Sequence, residues 1–204
     1  MENRIKNTID NLKRNGFSVE YFEKSADAVA SLISDIDVNE SVGIGGSVTI
    51  EGLGIYEKLV EKKCQVHWNW KVGANENKND ITVQASKAKV YLSSTNAITE
   101  DGRLVNIDGN GNRLSSMLYG HDRLYIICGV NKIAGSLDEA MIRVKNIASP
   151  MNALRLNLDT PCRHLGKCMN CDSPQRICRA TLILDRQPRA VKVIIYLINE
   201  SLGY

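Results

Sequence analysis

The chain has 204 residues, 43% of them hydrophobic and 24% charged, with 26 Lys and Arg against 23 Asp and Glu for a formal charge of +3. This composition can build a core without staples and excludes disordered, collagen-like and coiled-coil readings. No run approaches the ~20 apolar residues of a spanning helix, and so small a net charge gives no strong pull toward nucleic acid or an anionic membrane.

In chain order, Ile5, Ile9 and Leu12 predict a helix over 4–15 with Gly16 at its C-cap. Phe17–Phe22 alternates as a short strand, and Ser25 is placed to cap a helix carrying Ala28, Val29, Leu32, Ile33 and Ile36 on one face. Val42-Gly43-Ile44 is a short apolar run, followed by a helical pattern of Leu53, Tyr56, Leu59 and Val60, then a strand over Cys64–Trp68. Residues 69–80 are polar and read as a surface loop, with Trp68 and Trp70 packed at the surface or its rim. Strands follow at Lys89–Ser93 and in a hairpin of Ala97–Thr99 with Arg103–Ile107 around Glu100-Asp101-Gly102. A helix over 112–119 precedes Arg123–Cys128, the clearest buried strand. A helix over Leu137–Ala148 is expected to break or turn at Ser149-Pro150. Ala180–Leu184 and Val191–Ile198 read as a final hairpin around Gln187-Pro188-Arg189. This alternation predicts an α/β fold, a mainly parallel sheet with flanking helices, in one domain over 1–204. The charged N-terminus lacks the apolar segment of a secretory signal, so a cytoplasmic location and reduced thiols are expected.

Three segments carry candidate chemistry. A strand ending in Gly43-Ile44-Gly45-Gly46-Ser47-Val48-Thr49 and opening a helix can present backbone N–H groups and hydroxyls to an anion. It is neither a Walker loop nor a full dinucleotide fingerprint, and a ligand-free tight turn fits the same residues. Two polar turns then bracket one strand, the first with Glu100 and Asp101, the second with Asp108, Asn110, Asn112 and Arg113. Their amides could seat a small carboxylate or sugar, and a carboxylate there could act as base or nucleophile. The alternative is plain turn chemistry.

Six cysteines are present, of which Cys64 and Cys128 sit among apolar neighbours and read as core. The other four fall in a Cys-rich lobe over 160–179, spaced Cys162-x5-Cys168-x2-Cys171-x6-Cys178. Four thiolates in so short a stretch could hold an iron–sulfur cluster. Zinc usually draws on two Cys-x-x-Cys pairs and only one is present, and thiols without metal remain a third reading.

These segments together resemble the LUD-domain family, named for lactate utilization. The likeness rests on Gly43–Thr49, on Ser94–Arg113, on Cys128-Gly-Val-Asn-Lys-Ile133, and on Pro161-Cys162 through Cys171–Cys178. It implies a fold like ribose-phosphate isomerase, glucosamine-phosphate deaminase and the CoA transferases, with the pocket at the carboxyl ends of parallel strands. It implies an anion loop of Gly43, Gly45, Gly46, Ser47 and Thr49, faced by Asn96, Glu100, Asp101 and Gly102. In some CoA transferases a Ser-Glu-Asn-Gly segment supplies a glutamate nucleophile; Thr99-Glu100-Asp101-Gly102 departs from it at two positions. Larger family members work in iron–sulfur complexes that oxidise lactate. The resemblance therefore implies a small-molecule anion as ligand, a component of an oxidoreductase system, and a homodimer or redox partner subunits as company. The alternative is a CoA-transferase-like or sugar-phosphate isomerase-like enzyme using Glu100, with structural cysteines or zinc.

Overall fold

The computed structural model describes residues 3–204; the first two residues of the expected 1–204 domain lie outside the described range. Its frame is a six-stranded sheet in the order β1 (Ser18–Phe22), β10 (Lys192–Ile198), β7 (Arg123–Gly129), β4 (Val90–Ser93), β2 (Ser41–Ile44) and β3 (Gln65–Trp68). Every pairing in it is parallel. Parallel strands need crossovers, which place helices on the sheet faces and bury the strands on both sides.

The residue alternation follows from that. Leu124, Ile126 and Cys128 of β7 join Val193, Ile195 and Leu197 of β10 in one core. Tyr125 and Ile127 join Ile194, Tyr196 and Ile198 in the other. The second core is closed by α2 (Ser25–Asp35), α3 (Val48–Gly52) and α4 (Ile55–Glu61). The first is closed by α1 (Asn3–Arg14), by α6 (Asn112–Leu118), and by a small sheet of β8 (Ile133–Ala134), β5 (Ala97–Thr99), β6 (Leu104–Asp108) and β9 (Ala180–Leu184). α7 (Leu137–Arg143) covers the small sheet's outer face through Ala140 and a third cluster with Ala97, Val105 and Ala134. Cys64 and Cys128 are free and buried, as core residues should be.

Four expectations change. Ala180–Leu184 and Val191–Ile198 do not form a hairpin. β9 pairs antiparallel with β6, and β10 enters the main sheet between β1 and β7. The reason lies in β10 itself, whose Val193–Ile198 run is buried throughout; a hairpin strand with one wet face would alternate. The helix from Leu137 does not break at Ser149-Pro150. It passes through a π-helical turn, Val144–Ala148, into α8 (Ser149–Arg155), with Pro150 in the first turn of α8. The widened turn absorbs the N–H that proline lacks. The polar loop after Trp68 ends at Asn77, which caps α5 (Lys78–Ser86) by accepting from Asn79 N at 2.7 Å. Finally, Ser25 is not the cap of α2: that position is Lys24, and Ser25 N donates to Glu200 Oε1 at 2.7 Å. Among the described residues no helix is long and apolar enough to cross a membrane.

A cationic cavity at the carboxyl ends of the parallel strands

β2 sends the chain outward to β3, while β4 returns on the other side of β2. Where strand order reverses, neighbouring loops diverge and leave a crevice beyond the carboxyl ends of the strands. A cavity of about 550 Å³ lies there. Its walls are Gly46–Thr49 after β2, Ser94–Asn96 after β4, Ile107–Asn110 with Asn112 and Arg113 at the end of β6, and Pro174–Ile177 with Arg179 of the cysteine segment. Trp70, Asn152, Arg155 and the C-terminal Gly203 and Tyr204 complete the rim.

Of the residues predicted from sequence, the structure brings Gly46, Ser47, Thr49, Asn96, Asp108, Asn110, Asn112 and Arg113 together around this cavity. Gly43 and Gly45 do not line it. A Cβ on Gly43 would fall 2.2 Å from Ala85 O, and one on Gly45 would fall 2.8 Å from the Tyr91 hydroxyl and 3.2 Å from Arg113 Cγ. These two glycines let α5 and Arg113 press onto β2. Gly43→Ala is accordingly expected to lower stability by about 2 kcal/mol, read as a shift in the urea midpoint; an unshifted midpoint would contradict this packing role.

Glu100, Asp101 and Gly102 lie elsewhere, at the tip of the β5–β6 hairpin against α1. Asn11 Nδ2 donates to Glu100 O at 2.7 Å, and Asn15 Nδ2 to Asp101 O at 3.0 Å and Gly102 O at 2.9 Å. Glu100 pairs with Arg4 at 2.6 Å, and Asp101 with Arg103 at 2.9 Å. Gly102, at φ +87°, has the Asn11 backbone 2.6 Å from where a Cβ would sit. The hairpin tip docks α1, and none of the three lines the cavity.

The second turn is built, not loose. Asp108 Oδ1 accepts from Asn110 N at 2.9 Å and Gly111 N at 3.1 Å, which fixes the start of α6. Its other oxygen faces Arg113 Nε at 3.5 Å. The Arg113 side chain is 11% exposed. Its Nη1 donates to Ser94 O and Asn106 Oδ1, its Nη2 to Asn96 Oδ1 and Ile107 O, at 2.8–3.2 Å. A guanidinium has five N–H donors, so Arg113 has none left for a ligand. It is a strut that sets the shape of the wall.

The group sequence reasoning missed is Lys132. It follows β7 in a single 3-10 turn, Val130–Lys132, and is 3% exposed. Its Nζ donates to Ser94 Oγ at 2.8 Å and to Thr49 Oγ1 at 3.1 Å. No carboxylate pairs with it among the described residues. Burial pushes the amine down to about 8, and Arg143 and Arg113 push the same way. The nearby Cys128 thiol is itself pushed up to about 12 by burial, so it stays neutral and gives no counter-charge. The C-terminal tail closes over this corner: Leu202 N donates to Asn131 Oδ1 at 3.1 Å, and Gly203 lies against Thr49. The available signal was a lone lysine at the end of the clearest buried strand.

The rim is also cationic. Arg155 lies over the Trp70 ring at 4.4 Å and donates to Asn152 and to the Tyr204 hydroxyl. Trp70 stacks in turn on Trp68, which is buried in the core instead of lying at the surface. Arg176 and Arg179 hold the cysteine segment together. Arg176 donates to the carbonyls of Cys171 and Cys178 at 2.7 and 2.9 Å, and Arg179 to Pro174 O at 2.9 Å.

The cysteine segment starts with α9 (Pro161–Leu165) and runs on without regular structure to β9. Cys162 is buried with Thr160 Oγ1 3.3 Å from its sulfur, Asn170 N donates to Cys168 Sγ at 3.4 Å, and Cys178 interacts with Ser149. Burial pushes the Cys178 thiol up. Among the described residues no three His, Cys, Asp or Glu side chains are arranged to hold a metal ion. Cys168 and Cys162 both act electrostatically on Cys178, so three of the four sulfurs are neighbours.

The chain is thus an α/β protein with a cation-lined cavity at a strand-order reversal. The LUD domain profile matches residues 5–198, and the chain belongs to that family. It is similar in fold to a solved structure, a DUF162 family protein from Deinococcus radiodurans. The two share 11% identity at a TM-score of 0.50, over 95% of this chain and 96% of that one. No curated protein matches the chain.

Proposed function

We propose that this LUD-domain protein binds a small anionic metabolite, a carboxylate or a phosphorylated compound, in the cavity at the ends of β2, β4 and β7. The observation that carries this reading is Lys132, a buried ammonium at the cavity wall with hydroxyl partners and no acid. Burying a charge without an opposite one is costly unless something supplies it. Arg155, Arg176 and Arg179 add positive potential around the opening, against Asp108 as the one acid in the lining. A place in a lactate-oxidising system, which the family resemblance implies, would make the carboxylate lactate or pyruvate.

Calorimetric titration with lactate, pyruvate, phosphate and a sugar phosphate tests the reading. At least one is expected to bind, and Lys132→Met to weaken it about tenfold or more, the scale of a lost charge-assisted contact. Absence of binding by all four, or equal binding by the variant, would remove it. The CoA-transferase-like alternative rests on Glu100, and Glu100 faces Arg4 at the hairpin tip. Glu100→Gln is expected to leave ligand affinity unchanged and to cost less than about 1 kcal/mol of stability, as for a surface ion pair. The iron–sulfur or zinc centre that the spacing of Cys162, Cys168, Cys171 and Cys178 suggests is tested directly by iron, zinc and acid-labile sulfide analysis of anaerobically prepared protein.

A further inference from the structure

We infer that Lys132 is a covalent amine: it condenses with the carbonyl carbon of a small carbonyl-bearing anion, a 2-oxo carboxylate, held in the cavity. This deepens the anion-binding reading and rests on it.

A lysine kept only to attract anions does best as a hydrated point charge at a rim, where it stays protonated. Lys132 is placed the other way. It is buried, reached from the cavity, and bonded to two hydroxyls at 2.8 and 3.1 Å. Its third N–H has no protein acceptor among the described residues. The charged and titratable groups acting on it are Arg113 from α6, Arg143 from α7 and the neutral Cys128 thiol from β7. Both guanidiniums are tied down, Arg143 by the carbonyls of Asn96 at 2.6 Å and Asn131 at 3.2 Å. Desolvation and neighbouring cations are the two devices that turn a lysine into a nucleophile near neutral pH. With its amine near 8, a useful fraction of Lys132 is uncharged there.

The step balances without a further reagent. The uncharged Nζ attacks the carbonyl carbon, and a C–N bond forms as the C=O π pair moves to oxygen. That oxygen takes up the proton the nitrogen gives up, with the Ser94 hydroxyl 2.8 Å from Nζ as a relay. The C–O bond then breaks, and an added proton leaves with the oxygen as water. Summed, ammonium and carbonyl give a protonated imine and water. The substrate's carboxylate turns toward the rim cations.

Wild-type protein incubated with pyruvate and sodium cyanoborohydride, followed by intact mass and peptide mapping, is the test. One reduced adduct is expected, on Lys132. Labelling should rise with pH with a midpoint near 8 and be suppressed by excess lactate, which has no ketone to condense with. Lys132→Arg should lose the adduct, while calorimetry on the wild type detects lactate or phosphate binding. Labelling spread over surface lysines, or no labelling while anions still bind, overturns the inference and leaves the binding site standing. Loss of both labelling and all anion binding in the wild type overturns both. If Lys132→Arg does not fold, the mapped position and pH midpoint in the wild type decide alone.

Discussion

Arg113→Leu is expected to destabilise the protein by about 3–5 kcal/mol, the cost of breaking a buried charged network from one side. Removing the guanidinium strands Ser94 O, Asn96 Oδ1, Asn106 Oδ1, Ile107 O and the Asp108 carboxylate together. Each buried acceptor left without a donor adds its own penalty. Arg113→Lys should recover little, since one ammonium cannot reach acceptors spread around a planar fork. Urea unfolding measures the effect; a loss under about 1 kcal/mol would show that the strut is dispensable. Because these acceptors belong to the ends of β4 and β6, the cavity wall should loosen with them, and ligand binding should fall as well.

Lys132 gives the second large effect, as a dependence on pH. Its amine stands near 8 folded, against 10.5 ordinarily. Below pH 8 both folded and unfolded chains carry the proton, and the penalty of burying it is present in full. Between pH 8 and 10.5 the unfolded chain keeps a proton that the folded chain has released, so stability rises with pH. The rise attributable to this group is about 3 kcal/mol. Urea midpoints of wild type and Lys132→Met at pH 7.5 and 10 should diverge accordingly. The variant should be at least as stable at the lower pH and should lack the rise. Parallel behaviour of the two proteins would show that Lys132 titrates normally. A bound anion should also flatten the wild-type curve, since it favours the protonated amine.

The helices and strands were legible where apolar residues recur on one face, as in α1, or run on continuously, as in β7. The α/β class and the parallel sheet followed from them. α5 was not legible, because it packs through Ala85 against Gly43 and carries little apolar patterning of its own. The pairing of β9 and β10 was misread because proximity in sequence suggested a hairpin, while the uniform burial of β10 suits only a central strand. In the candidate site, turn-forming residues such as Asp108 and Asn96 stood out by type. Type alone could not separate a residue that meets a ligand from one that builds the wall, as Arg113 does. Glu100 stood out for the same reason, yet its turn serves α1. Lys132 was silent because its meaning lies in what surrounds it: two hydroxyls, two guanidiniums and no acid, all from distant parts of the chain.

The stack of Arg155 on Trp70 has an optical consequence. The chain has two tryptophans, and Trp68 is sealed in the core. Trp70 alone stands at the cavity mouth with a guanidinium on its ring. An occupant that draws Arg155 inward must change what covers that indole, so the protein carries an intrinsic fluorescent reporter of whether its cavity is filled.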